Sequence, residues 1–338
     1  MSDRTVGKNA RRGDAFGVLL GPLLERPDIF KAQVLPWLTV KDHFALAGVN
    51  RACRGSLAEV EGVDWLRRHG EAWSGMSTPY RVQVEACSRT AHEGRLEVLQ
   101  WLRAKGCEWN AVTCSVAAGR GHLDVLRWAR ANGCEWDTGT CSAAARGGHM
   151  DVLQWARANG CKWDRWTCSV AAGRGHLDVL RWARANGCEW DSWTCDLAAA
   201  NGRLEVLQWA RANGCEWDSN TCSTAAEGGQ LEVLQWARAN GCEWNAVTCS
   251  AAARGGHLEV LQWARANGCE WDTRTCSSAA RHGHLEVLQW ARENGCKWDR
   301  WTCQFAAEGG HVEVLRWAWE NGCAGVEDYM GSDSDESE

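Results

Sequence analysis

The chain lacks most of the features that mark a membrane, nucleic-acid or catalytic protein. Its apolar runs fall well short of the ~18 residues that a membrane span requires. No stretch is strongly basic, so the electrostatic footprint of a nucleic-acid binder is missing. The net charge of −6 is partly a tail effect, because Asp333, Asp335, Glu336 and Glu338 leave only −2 for residues 1–330. The N-terminus, MSDRTVGKNARRGDAFGVLLGPLLERP, has no signal-peptide core with a cleavage site, which points to a cytoplasmic or nuclear protein. There is no Cys-x-x-Cys and no glycine-rich phosphate loop after a strand. Nor is there a Ser/His/Asp or Cys/His set that occurs once at a workable spacing. These absences predict a monomer without enzymatic activity, cofactor or metal, and without nucleic-acid or membrane partners.

What the chain has instead is tryptophan and cysteine, 24 and 19 respectively, placed at a fixed interval. Trp101, Trp128, Trp155, Trp182, Trp209, Trp236, Trp263, Trp290 and Trp317 follow one another at one constant spacing. So do the nine cysteines from Cys87 to Cys303, and a third ladder runs from Cys107 through Cys134 to Cys323. Regularity of this kind marks a repeat array rather than one large core. The segment WLRRHGEAW at 65–73 echoes WLRAKGCEW at 101–109 and reads as an N-terminal capping half-repeat.

One copy, TCSVAAGRGHLDVLRWARANGCEWD from Thr113 to Asp137, predicts two helices and a loop. Thr113 is a candidate N-cap, and Cys114, Ala117 and Ala118 suit a short, tightly packed helix that stops at Gly121. A second helix begins near Leu123, with Asp124 in its first turn and Arg127 and Arg130 toward its end, as the helix dipole favours. Val125, Leu126, Trp128 and Ala129 form its apolar stripe, Asn132-Gly133 stops it, and Cys134–Thr140 is the loop onward. Helices of roughly 8 and 10 residues are shorter than the ~12–15 at which an isolated helix becomes marginal in water. Stacking between copies must therefore supply the core.

The segment AAGRGHLDVLRWARANG, Ala117–Gly133, resembles the ankyrin repeat, with Cys134 where ankyrin places Ala and Thr-Cys-Ser near its Thr-Pro-Leu-His start. The resemblance covers residues 85–323. It implies an all-α, ankyrin-like solenoid of about nine helix-turn-helix units that binds protein partners. The period of 27 departs from ankyrin's ~33, so the projecting hairpin finger is expected to be trimmed to a short loop.

The cysteines could suggest metal sites or disulfides. The loop pair Cys107 and Cys114, with His122 nearby, could in principle share a metal, but that His position is Arg95, Arg203 and Gln230 in other copies. A required ligand would not lapse in this way. Without a secretory signal disulfides are not expected, and the thiols read as small buried residues filling the stack. The faithful Trp128 and Trp136 ladders read as core and inter-repeat packing.

Trp166, Trp193 and Trp301 differ from those ladders. They stand just before Thr, where other copies carry Val112, Gly139, Asn220, Val247 and Arg274. A position tolerating Gly, Asn, Arg and Trp is solvent-facing, so these Trp are either binding anchors or rest on the next loop. Variation also concentrates at the end of the first helix, in Arg146, Glu227, Arg254, Arg281 and Glu308. In an ankyrin-like stack both sets fall toward one concave side, giving a candidate partner face of Trp166, Trp193, Trp301, Arg146, Glu227, Arg254, Arg274, Arg281 and Glu308. Arg130 and Arg238 read as outer-face positions at which changes should matter little for partner binding. The loops CEWNAVT and CKWDRWT each recur five repeats further on, which marks a recent expansion in which some differences are drift.

The ends differ from the array. Residues 1–22 are expected to be flexible, 59–84 to hold the capping half-repeat and linker, and the acidic 324–338 to be disordered. Residues 23–58 resemble an F-box. The matching positions are Pro27-Asp28, Val34-Leu35, Trp37-Leu38, Lys41-Asp42 and Leu46 through Val49-Asn50-Arg51 to Arg54. Pro36 and Cys53 depart from the pattern. The resemblance implies a Skp-type adaptor of a cullin–RING ubiquitin ligase as partner, docked through Pro27, Leu35, Trp37, Leu38 and Val49. The alternative is that these helices only cap a plain binding scaffold.

Circular dichroism should show a mainly helical protein. Deleting one unit, residues 195–221, should leave a folded array of slightly lower thermal stability, because contacts run only between neighbours; a β-dominated spectrum or loss of all helix would contradict the reading.

Overall fold

The computed structural model describes residues 80–323, with side chains from residue 84 onward. The F-box-like segment with Pro27, Leu35, Trp37, Leu38 and Val49, nearly all of the capping half-repeat, and both termini lie outside the described residues. Among the described residues there are 18 α-helices and no strand. The first helices of the pairs are α1 (Tyr80–His92), α3 (Ala111–Gly119), α5 (Thr138–Gly147), α7 (Arg165–Arg174), α9 (Ser192–Ala200), α11 (Ser219–Glu227), α13 (Ala246–Gly255), α15 (Thr273–Arg281) and α17 (Arg300–Glu308). The second helices are α2 (Leu96–Ala104), α4 (Leu123–Ala131), α6 (Met150–Ala158), α8 (Leu177–Ala185), α10 (Leu204–Ala212), α12 (Leu231–Ala239), α14 (Leu258–Ala266), α16 (Leu285–Glu293) and α18 (Val312–Glu320). From α3 onward each first helix stacks on the next first helix, and each second helix packs on its own first helix. The result is an all-α repeat solenoid of two layers. No helix among the described residues is long and apolar enough to cross a membrane.

The first helix starts earlier than its sequence suggests. Asn110, in extended conformation, caps α3 by accepting a hydrogen bond from the Val112 N–H at 3.0 Å, and Asp137 caps α5 in the same way at 2.9 Å. The Asx side chain takes this place because its short carbonyl or carboxylate reaches an orphan N–H two residues on. Thr113 is therefore not the cap; it lies inside the helix and is fully buried. Its hydroxyl is used between repeats. Ser88–Thr113, Ser115–Thr140, Ser142–Thr167, Ser169–Thr194 and Ser223–Thr248 form hydroxyl pairs at 3.2–3.4 Å. Toward the C-terminal end the ladder lapses, and the buried hydroxyls of Thr275 and Thr302 have no hydrogen-bond partner.

The second helix ends in a Schellman turn. Gly133 takes φ +82°, its N–H bonds to the Arg130 carbonyl at 3.2 Å, and the Cys134 N–H bonds to the Ala129 carbonyl at 2.9 Å. This turn brings the cysteine side chain back into the repeat. Asn132 Nδ2 donates to the Trp128 carbonyl at 2.8 Å and closes another orphan acceptor.

The core is a set of columns. Leu99, Leu126, Leu153, Leu180, Leu207, Leu234, Leu261 and Leu288 are fully buried, flanked by the Val and Ala of the same helices. Each buried Leu contributes roughly 1.5–3 kcal/mol. Between first helices the filling is Cys and Ala, which lets backbones approach closely. At Gly228 an added Cβ would collide with the Ala200 carbonyl oxygen of the preceding repeat. The recurrent Gly-His also works between repeats: the His176 ring lies over Gly148, where a Cβ would strike it, and its Nε2–H donates to the Arg146 carbonyl at 3.1 Å. Where His is replaced, the Arg203 and Gln230 side chains cover the same glycine position, at Gly175 and Gly202.

One rung of the hydroxyl ladder is an acid. Asp196 replaces the usual Ser, is 7% exposed, and accepts from Thr221 Oγ1 at 2.6 Å. Burial pushes its carboxyl up to about 6; the Thr221 hydrogen bond works against this, while Asp218 and Asp191 raise it further. A carboxyl raised on folding holds its proton longer in the native state, so the array loses stability as pH rises from about 4 to 7. The loss is on the order of 2–3 kcal/mol at most. Asp196→Ser should raise the thermal midpoint at pH 7.5 and flatten its pH dependence over that window. Equal pH profiles for the two proteins would exclude the effect.

Candidate functional site

Between neighbouring second helices the joint is aromatic. Trp136, in the loop after α4, sits edge-on to Trp155 of α6 at 5.7 Å, and the same pair recurs from Trp109–Trp128 to Trp298–Trp317 at 5.6–5.8 Å. Such edge-to-face pairs contribute ~0.5–1.5 kcal/mol beyond burial. These Trp are half-buried rather than core, because they lie on the outer edge of the second-helix layer. The Arg130 guanidinium covers the open face of Trp136 at 4.2 Å and donates to the Cys134 carbonyl; Arg238 does both over Trp244 and Cys242. Arg130 and Arg238 therefore have a structural part in this joint, which is separate from the expectation that changes at these outer-face positions matter little for partner binding. The spacing Arg-x5-Trp recurs in every repeat from Arg103–Trp109 to Arg292–Trp298 and was the available signal.

From α3 onward the variable position before Thr is the second residue of the first helix. Except at Trp193 its backbone N–H is held by the Asx cap, as Trp166 by Asp164 at 3.0 Å and Trp301 by Asp299 at 3.1 Å. The three side chains are open to solvent, 41% for Trp166, 58% for Trp193 and 42% for Trp301. Val112 and Val247 in the same line are 51% and 38% exposed. Trp166 and Trp193 lie on adjacent first helices, α7 and α9. Between these helices Arg165 pairs with Asp191 at 3.3 Å, and Asp191 alone among these Asx caps makes no capping hydrogen bond. Trp301 is four repeats beyond Trp193. It packs on Phe305 at 5.8 Å with Arg300 over its ring, and Arg281 covers Phe305 at 3.8 Å.

The charged candidates Arg146, Glu227, Arg254, Arg281 and Glu308 lie toward the opposite end of the same helices, seven residues on and so about 10 Å away at 1.5 Å per residue. Several pair with one another across repeats: Arg254 with Glu227, and Arg281 with Glu308 at 3.7 Å. Arg274 pairs with Asp272, the cap of its own helix, at 2.6 Å, so this Asp is held below the usual carboxylate range, first by the Arg274 hydrogen bond. Arg146 is exposed.

The cysteines from Cys87 to Cys323 are buried, but their pairing is not the loop pairing the sequence brings to mind. Within one repeat the cysteine of the first helix meets the cysteine after the second, as Cys114 meets Cys134, and the Cys168, Cys222 and Cys249 thiols lie 3.9–4.0 Å from the Cys188, Cys242 and Cys269 carbonyls. In the last repeat the equivalent Cys303 and Cys323 form a disulfide, with Cα atoms 6.3 Å apart. That bond overturns the expectation of no disulfides; the Schellman turn is what carries the second cysteine back to the first. Among the described residues no cluster of three or more His, Cys, Asp or Glu is placed to hold a metal.

Residues 276–318 match the family model described as ankyrin repeats in many copies. The crystal structure of the human ASB11 ankyrin repeat domain is similar to this chain at 17% identity and a TM-score of 0.38, over 46% of this chain and 84% of that one. No curated protein matches.

Replacing Arg238 by Ala should cost about 1 kcal/mol, read as a lower thermal midpoint, whereas Arg146→Ala should leave it within error. Equal midpoints for both variants would mean that Arg238 does not stabilise the joint.

Proposed function

We propose that the array is a non-enzymatic protein-binding scaffold that reads its partner with the line of residues preceding each buried Thr. The observation that carries this is the exposure of three tryptophans at one structural position, where the scaffold itself tolerates Gly, Asn or Arg. Large aromatic side chains held outward by a fixed backbone serve as binding anchors. Trp166 and Trp193, on adjacent helices beside the Arg165–Asp191 pair, form the main patch, and Trp301 with Phe305 forms a second. Because Arg254 and Glu227, and Arg281 and Glu308, neutralise each other, they set the rim of the surface rather than offering open charges. The match of residues 276–318 to ankyrin repeats supports the same reading.

A finer reading takes the chain as a substrate-recognition subunit of a cullin–RING ubiquitin ligase. It is supported by the F-box-like pattern of residues 23–58, with Pro27, Leu35, Trp37, Leu38 and Val49 meeting the Skp-type adaptor. Purified Skp-type adaptor should bind the full chain and be lost on Leu38→Ser while helicity is retained. No binding by the unmodified chain would leave the plain scaffold.

For the repeat surface, affinity capture from the native cell should recover a protein that the chain with Trp166, Trp193 and Trp301 all changed to Ala no longer holds. Each Trp is expected to carry ~2 kcal/mol of binding if it is a hot spot. A folded triple variant that retains every partner would refute the surface.

A further inference from the structure

Nine cysteine pairs recur in nine repeats: one cysteine in the first helix and one directly after the Schellman glycine, always at the same separation in sequence. The geometry is the same from repeat to repeat. The second thiol donates to the carbonyl of the residue capping the first helix, as in Cys134 to Asn110 at 3.4 Å, Cys188 to Asp164 at 3.3 Å and Cys242 to Asp218 at 3.2 Å. The first thiol points at the second cysteine, reaching its backbone carbonyl from Cys168 to Cys188 at 4.0 Å, from Cys222 to Cys242 at 3.9 Å and from Cys249 to Cys269 at 3.9 Å. In the ninth, Cys303 and Cys323 are already bonded, with a Cα separation inside the range a disulfide requires.

We propose that every repeat is a dithiol site that closes to the same internal disulfide, so that the solenoid is a stack of redox-sensitive cross-links of which Cys303–Cys323 is one in its closed form. The oxidant is a small hydroperoxide, since the other pairs lie buried where bulky disulfides do not reach. The thiolate of the second cysteine attacks the peroxide, the O–O bond breaks, and a sulfenic acid and water are formed. The first cysteine then attacks that sulfur and a second water leaves. Two thiols thus lose two electrons and two protons, and hydrogen peroxide is reduced to two waters.

The chemical environment divides the two roles. In interior repeats the hydrogen bond from the first thiol holds the second below the ordinary thiol range, and the neighbouring arginine, Arg130 for Cys134, lowers it further against the effect of burial. The first thiol is pushed upward by that hydrogen bond and then by burial. The second cysteine is therefore the one that meets the oxidant. Array ends open most readily, so the last repeat reacts first and the interior follows.

The test uses the full chain, fully reduced, exposed to excess hydrogen peroxide without denaturant, then alkylated in guanidinium and mapped by mass spectrometry. Linkages should join the two cysteines of one repeat, as Cys114 to Cys134 and Cys141 to Cys161, with Cys303–Cys323 appearing first. The thermal midpoint should rise and fall back with dithiothreitol. In Cys323→Ser that linkage should vanish while those of interior repeats persist; Cys303→Ala provides the same control if the serine variant folds poorly. Cysteines that stay reduced, or that stop at sulfinic acid without cross-links, would overturn the proposal. So would linkages between loop neighbours such as Cys134 and Cys141.

Discussion

The close stacking of one first helix on the next is what the rest of the array depends on. That contact is made by Cys, Ala, Ser and Gly, with Gly228 meeting the Ala200 backbone so closely that a methyl group would not fit. Helices as short as these gain no stability alone. They persist because their small faces allow backbone to approach backbone and because Leu and Val of the second helices close the remaining volume. The other devices secure this contact: the Ser–Thr rungs beneath it, the histidine rings at its edge, and the Arg-covered tryptophan pairs on the outer layer.

A division of labour follows within each repeat. The buried residues that touch the next unit hardly vary, and the exposed ones that do vary, the Arg254–Glu227 and Arg281–Glu308 pairs among them, carry the differences a partner could read. Asp196 is an exception, since it places an acid in a buried rung where seven other repeats have serine and the last has Gln304. The Arg–Trp joints show the reverse: exposed enough to look like surface, they are fixed because each arginine satisfies a carbonyl and a ring face together.

Much of this was legible in the sequence. The constant Trp and Cys spacing defined the units, the Asn-Gly stops and the Leu-x-Val-Leu stripe defined the second helices, and the contrast between invariant and variable Trp identified Trp166, Trp193 and Trp301 as solvent-facing. What was not legible depended on three-dimensional closure. Thr113 looked like a cap because Thr often caps helices, but Asn110, placed first, takes the orphan N–H and frees Thr113 for a contact with Ser88 of the preceding repeat. Cys107 and Cys114 looked like a pair because they are near in sequence. The left-handed turn at Gly133 instead sends Cys134 back toward Cys114, and a turn's direction is not visible in composition. Ion pairs such as Arg254–Glu227 join residues one period apart, which only the stacking makes neighbours.

The near-identity of the joints has a consequence for how the chain finds its native register. A helix pair offers almost the same face to the unit before it as any other pair would, so a chain that loops out one unit and docks the next still forms a correct joint. Closing a loop the length of one repeat costs only about 3 kcal/mol of chain entropy. The native alignment is then preferred chiefly because it makes one more joint than the slipped one, and the energy gap between them is that of a single repeat rather than of the whole protein.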